Sequence, residues 1–294
     1  MREVNIQKGE LVKFLAKDKV ELTGFLIRPK KSSTCIIRLH GMTSNFYENT
    51  IPFSLAEKVG RKGIAVFTMN TRGHDITTLV RKRKGRDVAY LTMGTDFERF
   101  EDSVLDIEGA TSALKRLGFK RFILAGSSTG CQKITYYQYK KKDKNIKALI
   151  LFAPADDYNL HKKGLGRKFD GIVKLCKTLV KNKRGNERNE NIPRSFSAKR
   201  FLSVADLKNI EARIFNYEGE LREFSQIKVP ICALFGSKDQ AFVKPVTLYL
   251  KILKNKSNSK FFVSKVIKGA GHSFRGREEE VSSFISRWLM NVLD

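Results

Sequence analysis

Short apolar segments of strand length alternate with helical patterns along most of this 294-residue chain. The strand-like segments are rich in β-branched residues, which is typical of parallel strands that are buried on both faces. Repeated strand–helix units predict an α/β fold in which helices cover both faces of a mostly parallel central sheet. The predicted strands are 34–39, 64–69, 121–125, 146–152, 231–235 and 261–267, and the predicted helices are 51–61, 97–117, 131–139, 243–253 and 278–293.

Two segments depart from this pattern. Residues 11–15 and 20–27 alternate in polarity around a short turn, which predicts an antiparallel hairpin at an edge of the sheet. Residues 156–226 are polar and basic with helical fragments, and an insertion this long in a compact domain is usually functional. We therefore expect a core formed by residues 1–155 and 227–294, with an inserted helical cap at 156–226.

One pentapeptide has the form G-x-S-x-G. The predicted strand 121–125 runs into Gly126-Ser127-Ser128-Thr129-Gly130, and a helical pattern follows. In this arrangement the central serine occupies a strained turn between strand and helix, and its hydroxyl projects above the sheet. The flanking glycines let neighbouring backbones approach closely. Ser128 is thus the candidate nucleophile, and the alternative is a structural serine in a turn.

Two further candidates follow the last two predicted strands, namely Asp239 and a glycine-flanked His272. The chain order Ser, Asp, His is that of α/β-hydrolases, in which the histidine takes the proton of the serine and the aspartate orients the histidine. We therefore predict a catalytic triad of Ser128, Asp239 and His272. Asp156 and Asp157, which follow the preceding strand, are the alternatives for the acid.

The loop after strand 34–39 begins His40-Gly41-Met42. The backbone N–H groups of Met42 and Thr129 are candidates for an oxyanion hole, which stabilises the negative charge that develops on a carbonyl oxygen in acyl transfer. We expect His40 to shape this loop rather than to transfer protons.

The remaining histidines and the cysteines have structural interpretations. We expect His74 to fix a loop, and His161 lies in the predicted cap with no partner visible in the sequence. No histidine or cysteine spacing is typical of a metal site, so we predict neither a metal nor a cofactor. The four cysteines are widely spaced and include no CxxC pair, so we predict that they are small buried side chains in a reduced compartment. They are Cys35, Cys131, Cys176 and Cys232.

The chain has 57 Lys and Arg against 30 Asp and Glu, a formal net charge of +27. Such an excess raises nucleic acid, anionic membranes and acidic substrates as partners. The excess is spread along the chain and no nucleic-acid-binding motif accompanies it, so we do not expect a nucleic-acid partner. The densest basic run, 81–86, is interpreted as a solvated loop, and the alternative is a rim that attracts anionic substrates.

The first eight residues carry charge but no apolar segment of a secretory signal. No apolar run approaches the roughly 18 residues that a membrane span needs. We therefore expect a cytoplasmic protein without a membrane span, while its oligomeric state stays open.

Several motifs together resemble, in order, those of the α/β-hydrolase superfamily, and the resemblance covers about residues 8–294 apart from the cap. The motifs are His40-Gly41, Asn70-Thr71-Arg72-Gly73-His74, Gly126-Ser127-Ser128-Thr129-Gly130, Gly236-Ser237-Lys238-Asp239 and Gly271-His272. More narrowly, segments 126–137 and 153–157 are similar to a poorly characterised branch that includes fungal siderophore esterases. That branch often has His where this chain has Ser127. The resemblance implies an α/β-hydrolase fold and ester hydrolysis.

We accordingly predict a serine hydrolase that cleaves a small-molecule carboxylic ester. Ser128 would attack the acyl carbon, and water activated through His272 would hydrolyse the acyl-enzyme. One alternative keeps the same triad and acts on an anionic substrate, as a thioesterase or lysophospholipase. A second alternative is a non-catalytic anion-binding module on a hydrolase scaffold.

Overall fold

The structure, a computed structural model, describes residues 7–193 and 196–293. Its strands are β1 (Glu10–Leu15), β2 (Glu21–Ile27), β3 (Thr34–Leu39), β4 (Ile64–Met69), β5 (Thr78–Lys84), β6 (Asp87–Met93), β7 (Arg121–Ser127), β8 (Ile146–Phe152), β9 (Ile231–Gly236) and β10 (Phe262–Ile267). Eight of them form one sheet in the order β1-β2-β4-β3-β7-β8-β9-β10, and β5 and β6 form a separate two-stranded sheet.

Helices cover both faces of the large sheet. The helices of the described chain are α1 (Ile51–Gly60), α2 (Ser103–Arg116), α3 (Thr129–Lys141), α4 (Asp157–Leu165), α5 (Phe169–Lys181), α6 (Ala198–Ala205), α7 (Ile210–Ile214), α8 (Arg222–Ser225), α9 (Val246–Lys256) and α10 (Glu278–Leu293). Successive residues of a buried strand point to opposite faces. Accordingly, Ile37 packs in a cluster with α2 and α3, whereas Ile36 packs in a cluster with α1 and α10.

The predicted mostly parallel sheet and its edge hairpin are confirmed. Neighbouring strands from β4 to β10 in the sheet order run parallel, while β1 pairs with β2, and β2 with β4, in antiparallel fashion. In parallel strands the carboxyl ends meet at one edge of the sheet. The loops after β3, β7, β9 and β10 therefore lie at the same edge, which is where ligands bind in open α/β sheets.

The interpretation of residues 81–86 as a solvated loop was wrong. They lie in the β5–β6 hairpin, whose residue Lys82 forms a bridge with Val20 beside the β1–β2 turn. Glu21 accepts ion pairs from both Arg81 and Arg83. Val80 points toward the core and the charged residues beside it point toward solvent, which is the alternation of a strand. The many positive charges conceal this alternation in the sequence.

Two predicted helices begin later than expected. Residues 97–102 form a loop and a short 3₁₀ turn before α2, because the backbone N–H groups of Phe97 and Glu98 bond to Gly94 in a turn. The helix predicted from residue 243 begins at Val246, directly after Pro245. Proline is compatible with a helix start but lacks the N–H that an interior position requires.

The chain between β8 and β9 is helical and divides in two by its packing. Residues from α5 and α6, including Phe169 and Phe201, form a separate apolar cluster with Phe196. Side chains that follow, such as Ile214 and Phe224, pack instead into the cluster on the α2–α3 face of the sheet.

Arg72, in the loop after β4, ties three separate parts of the chain together. Its guanidinium is 2% exposed and pairs with Asp106 of α2 and with Asp18 of the β1–β2 turn, both at 2.8 Å, and with Asp102 at 3.3 Å. Burial raises the pKa of Asp106, against the opposing effect of Arg72. Asp106 is itself fully buried, so it depends on Arg72 for compensation of its charge.

We predict that Arg72→Met lowers the free energy of unfolding by about 3–5 kcal/mol, because removal of one partner leaves a buried carboxylate uncompensated. Urea denaturation of the wild type and the variant measures the change. The matched control is Arg99→Met, since Arg99 is 63% exposed and pairs with Glu101 at the surface. That change should lower the free energy of unfolding by less than about 1 kcal/mol. Equal losses in the two variants would contradict the prediction.

Candidate active site

Ser128 occupies the turn between β7 and α3 with φ of 52° and ψ of −123°. Positive φ is strained for a residue with a side chain and persists only where surrounding contacts impose it. Here the Ser128 N–H donates to Phe152 O at 2.9 Å, and the Ser128 carbonyl accepts from Cys131 N at 2.8 Å. The turn leaves Ser128 half-buried at the carboxyl edge of the sheet.

Glycines make this turn sterically feasible. A Cβ on Gly126 would lie 2.3 Å from Gly130 O, and a Cβ on Gly130 would lie 2.7 Å from His40 O. A Cβ on Gly41 would lie 3.1 Å from Ser128 Cβ. The loop after β3 therefore passes directly beside the candidate nucleophile.

His272 and Asp239 are brought together by the loops after β10 and β9. His272 Nδ1 lies 2.8 Å and 3.0 Å from the two carboxylate oxygens of Asp239, whose side chain is fully buried. Because a carboxylate only accepts, Nδ1 carries a proton, and in the neutral tautomer of such a ring Nε2 is the acceptor. The Asp239 carboxylate also accepts from Ala241 N at 2.9 Å, which fixes its orientation.

The hydroxyl of Ser128 is not hydrogen-bonded to the His272–Asp239 pair in the described residues. Within residues 7–193 and 196–293, no hydrogen bond joins Ser128 Oγ to His272. Hydrogen bonds of this kind are often long without substrate and shorten in the reacting complex. The structure thus brings Asp239 and His272 into contact and positions Ser128 at the same edge of the sheet.

The candidate oxyanion donors lie on two neighbouring loops. Thr129 is the first residue of α3, so its N–H has no partner within the helix and lies at the positive end of the helix dipole. The loop that contains Met42 is held by the hydrogen bond from Thr43 N to Thr95 Oγ1 at 2.8 Å.

His40 holds the start of the same loop. Its Nδ1–H donates to Gly41 O at 2.7 Å, and its Nε2 accepts from Thr71 N at 3.1 Å. Burial lowers the pKa of His40 to about 3, so the ring is neutral. Both ring nitrogens are engaged, as expected for a residue that shapes the loop.

The alternatives for the acid are engaged elsewhere. Asp156 accepts from Asn159 N at 3.0 Å and from Tyr217 N at 3.1 Å, and it caps α4. Asp157 accepts from Gln132 Nε2 at 2.7 Å. Among the described residues neither carboxylate bonds to a histidine, whereas Asp239 does.

The two remaining histidines have structural surroundings. His74 Nδ1–H donates to Thr71 O at 2.9 Å, which fixes the loop after β4. His161 packs edge-on against Phe196 and Phe201, at centroid distances of 5.2 and 5.8 Å. Burial lowers the pKa of His161 to about 4. His161 therefore packs against aromatic rings, and the sequence did not reveal these partners.

A buried cation that contacts Ser127, the residue before Ser128, was not predicted. Arg38 of β3 is 2% exposed, and its Nη2 donates to Ser127 Oγ at 3.1 Å. Within the described chain, Nε and Nη1 of Arg38 have no hydrogen-bond partner. Burial lowers the pKa of Arg38 to about 10, so the group stays charged at neutral pH. A single arginine in an apolar strand was the only signal available.

A buried ion network connects α3 to the inserted helices and was also missed. Lys133 of α3 donates to Glu98 at 2.7 Å, and Arg200 of α6 donates to the same carboxylate at 3.1 Å. Arg200 also pairs with Glu211 of α7 at 2.6 Å. Burial would raise the pKa of Glu98, but Lys133 and Arg200 outweigh it and hold the pKa below its usual value. Lys133 further donates to Thr71 Oγ1 at 3.2 Å, next to His40.

The cysteines, the lengths of the helices and the possible metal ligands were also compared with the predictions for the described chain. All four cysteines are free and buried, which confirms the prediction of small buried side chains. Across residues 7–193 and 196–293, no helix has the length and apolar character to cross a membrane. Within the same residues, no group of three His, Cys, Asp or Glu side chains is placed to hold a metal ion.

Comparison with known proteins finds a matching family model and solved structures of similar fold. The family model described as "protein of unknown function (DUF1749)" matches residues 90–293. No curated protein matches the chain in sequence.

Three solved structures that resemble the chain are each under 20% identical to it and match nearly all of it. An esterase from Pyrococcus furiosus has a TM-score of 0.62 at 18% identity, covering 98% of this chain and 92% of the esterase. Est1E from Butyrivibrio proteoclasticus with bound ferulic acid has a TM-score of 0.62 at 16% identity, with coverage of 95% and 98%. A soluble variant of monoglyceride lipase from Saccharomyces cerevisiae, bound to a substrate analogue, has a TM-score of 0.66 at 17% identity, with coverage of 99% and 97%. These likenesses confirm the predicted α/β-hydrolase fold.

We predict that Arg38→Met raises the free energy of unfolding by about 1–4 kcal/mol, because an apolar side chain removes a buried charge that is poorly compensated. Urea denaturation at neutral pH measures the change. The control is Arg38→Lys, which keeps the charge and should not stabilise the protein. A lower free energy of unfolding for Arg38→Met would contradict the prediction and show that the guanidinium has compensating partners.

Proposed function

We propose that this chain, which belongs to the DUF1749 family, is a serine hydrolase that cleaves carboxylic esters. The observation that carries the proposal is the contact between His272 Nδ1 and the buried Asp239 carboxylate at the edge of the sheet that holds strained Ser128. A histidine whose Nδ1 is held by a buried carboxylate can present Nε2 as the base that a serine nucleophile requires.

In the proposed reaction Ser128 Oγ attacks the acyl carbon while His272 Nε2 takes the hydroxyl proton. The C=O electron pair moves to oxygen and forms a tetrahedral oxyanion. When the oxyanion collapses, the bond from carbon to the alcohol oxygen breaks and His272 protonates the departing alcohol. Water then attacks the acyl-enzyme, His272 again removes and returns the proton, and the products are the carboxylic acid and free Ser128.

Two features support stabilisation of the oxyanion. In the proposed site the N–H groups of Met42 and Thr129 donate to the oxyanion, and each such donor contributes about 3 kcal/mol to transition-state stabilisation. The N-terminus of α3 adds a positive dipole end at the same point. Asp239 would meanwhile stabilise the imidazolium that forms on His272.

We propose that part of the predicted cap at 156–226 borders the substrate pocket. Met42, whose N–H is a candidate oxyanion donor, packs against the apolar cluster of α5 and α6. This contact favours an apolar acyl or alcohol group. Ile214 and Phe224 pack into the main core. This packing supports a cap that ends near residue 205, earlier than the predicted boundary at residue 226.

The substrate is proposed only as a small carboxylic ester. Two of the structures that this chain resembles are an esterase and a monoglyceride lipase. The narrower resemblance to siderophore esterases stays a prediction, as do the alternatives of an anionic thioester or lysophospholipid. Buried free cysteines support the proposal of a cytoplasmic protein.

We expect a fluorophosphonate probe to label the wild type, and Ser128→Ala to abolish labelling and reduce ester hydrolysis on the order of 10⁴-fold or more. The matched control is Ser127→Ala, which removes the adjacent hydroxyl and should keep the label. Gel fluorescence and hydrolysis of p-nitrophenyl acetate provide the two readouts. Labelling that survives Ser128→Ala would exclude Ser128 as the nucleophile, and a folded wild type without labelling or turnover would favour the non-catalytic module.

Asp239→Asn should lower kcat on the order of 10³–10⁴-fold, because the amide no longer stabilises the imidazolium or the required tautomer of His272. The corresponding change Asp156→Asn should lower kcat by less than about tenfold, since Asp156 contacts α4 and not His272. Steady-state hydrolysis measures both variants, with circular dichroism to confirm folding. A larger loss for Asp156→Asn would assign the acid to the loop after β8.

A further inference from the structure

The outward face of the β5–β6 hairpin is apolar and basic at once. Val80 is buried, and Leu91 and Met93 pack against the core, so alternate residues point to solvent. Register pairs Arg81 with Tyr90 and Arg83 with Val88 across the two strands. We call this surface the hairpin face, and its members are Leu79, Arg81, Arg83, Val88 and Tyr90.

The exposure of large apolar side chains is concentrated around this face. Leu79 is 68% exposed and Tyr90 is 67% exposed. Of the twelve large apolar side chains that are exposed in the described chain, seven lie on β1, on the hairpin or on the loops at its base: Leu11, Leu15, Tyr47, Ile76, Leu79, Val88 and Tyr90. Clustered apolar exposure of this kind marks an interaction site, whereas scattered single residues do not.

The apolar surface continues from the hairpin to the edge strand β1. A groove of about 440 Å³ separates the two and is lined on the β1 side by Lys13 and Leu15 and on the hairpin side by Leu79 and Arg81. Both walls of the groove therefore combine an aliphatic side chain with a cation.

Positive charge exceeds negative charge on the hairpin. Residues 78–93 contain five cations and one acid, Asp87. Glu21 and Asp18 pair with Arg81, Lys82 and Arg83 and offset part of this charge. In the described part of the chain, Lys84 and Arg86 at the turn are in no ion pair, and both are exposed.

We propose that the hairpin face docks on the surface of a bilayer that contains anionic lipid. The free energy falls when aliphatic side chains enter the boundary between headgroups and acyl chains. Tyrosine favours the headgroup level, and arginine and lysine keep their charges at the phosphates. Anionic headgroups complement the cations at the hairpin turn. Nucleic acid is the less favoured partner, because aromatic rings supply its stacking platforms and the hairpin face offers one ring beside two aliphatic side chains.

The hairpin is attached to the loop that borders the candidate site. Asp75 N donates to Ser44 O at 3.0 Å before β5, and Thr43 N donates to Thr95 Oγ1 at 2.8 Å after β6. Docking on the hairpin face would thus bring the bilayer to the edge of the sheet that holds Ser128. The inference goes beyond ester hydrolysis and does not depend on turnover.

The test is co-sedimentation of the full chain with vesicles of phosphatidylcholine alone and of phosphatidylcholine mixed with phosphatidylserine. We expect binding to the mixed vesicles that weakens as salt is raised. Lys84→Gln with Arg86→Gln should weaken binding by about 25-fold, since each cation near an anionic surface contributes about fivefold. Leu79→Ser with Tyr90→Ser should weaken it by roughly tenfold or more through lost apolar burial.

Matched controls make the same changes beside β10, at the opposite end of the sheet. They are Lys251→Gln with Lys254→Gln, and Leu248→Ser with Phe261→Ser, all at exposed positions. Full binding by the controls and loss in the hairpin variants would support the proposal.

Three results would overturn it. No binding of the wild type to mixed vesicles excludes a bilayer as the partner, and equal losses in the control variants show that binding is not located on the hairpin face. Hairpin-dependent binding to single-stranded RNA, or hairpin-dependent dimerisation in sedimentation velocity, without vesicle binding would assign the face to that partner instead. Because vesicle binding needs no turnover, Ser128→Ala should bind like the wild type, which separates this inference from the proposed hydrolysis.

Discussion

The left-handed backbone of Ser128 is the constraint on which the site depends. A residue with a side chain adopts that conformation only if close neighbours enforce it, at a cost of about 1–3 kcal/mol. The enforcement comes from the carboxyl end of the sheet, where Ser128 N bonds to Phe152 O of β8. It also requires glycine at 126 and 130, since a side chain at either position would collide with neighbouring backbone. The strained turn also makes Ser128 the residue directly before the first N–H of α3.

Buried charge determines how the parts around this turn are joined. Arg72 connects the loop after β4 to α2 and to the β1–β2 turn. The network of Lys133, Glu98 and Arg200 connects α3 to the inserted helices. Removal of one partner from such a network leaves an uncompensated charge, so these contacts resist separation strongly. Helix α6 is therefore anchored to the core by charge, while its apolar side chains pack in the separate cluster with α5.

Much of the fold could be predicted because buried parallel strands produce uninterrupted apolar segments. The candidate triad could be predicted because Ser128, Asp239 and His272 each directly follow such a strand, and the carboxyl ends of parallel strands meet. The β5–β6 hairpin was missed because Arg81 to Lys84 conceal its alternation. The pairing of Glu98 with Arg200 joins residues 102 apart in the chain, and no local pattern indicates such a contact. Arg38 was missed because its partner, Ser127, becomes its neighbour only through the pairing of β3 with β7.

We propose that Ser128, Met42 and Thr129 together form an acyl-transfer centre oriented by His272 and Asp239. The most direct measurement is a crystal structure of the protein after reaction with a phosphonate ester. We expect a bond from phosphorus to Ser128 Oγ, with the phosphonyl oxygen about 3 Å from the backbone nitrogens of Met42 and Thr129. Phosphorus bonded to a different residue, or a phosphonyl oxygen directed away from both N–H groups, would contradict it.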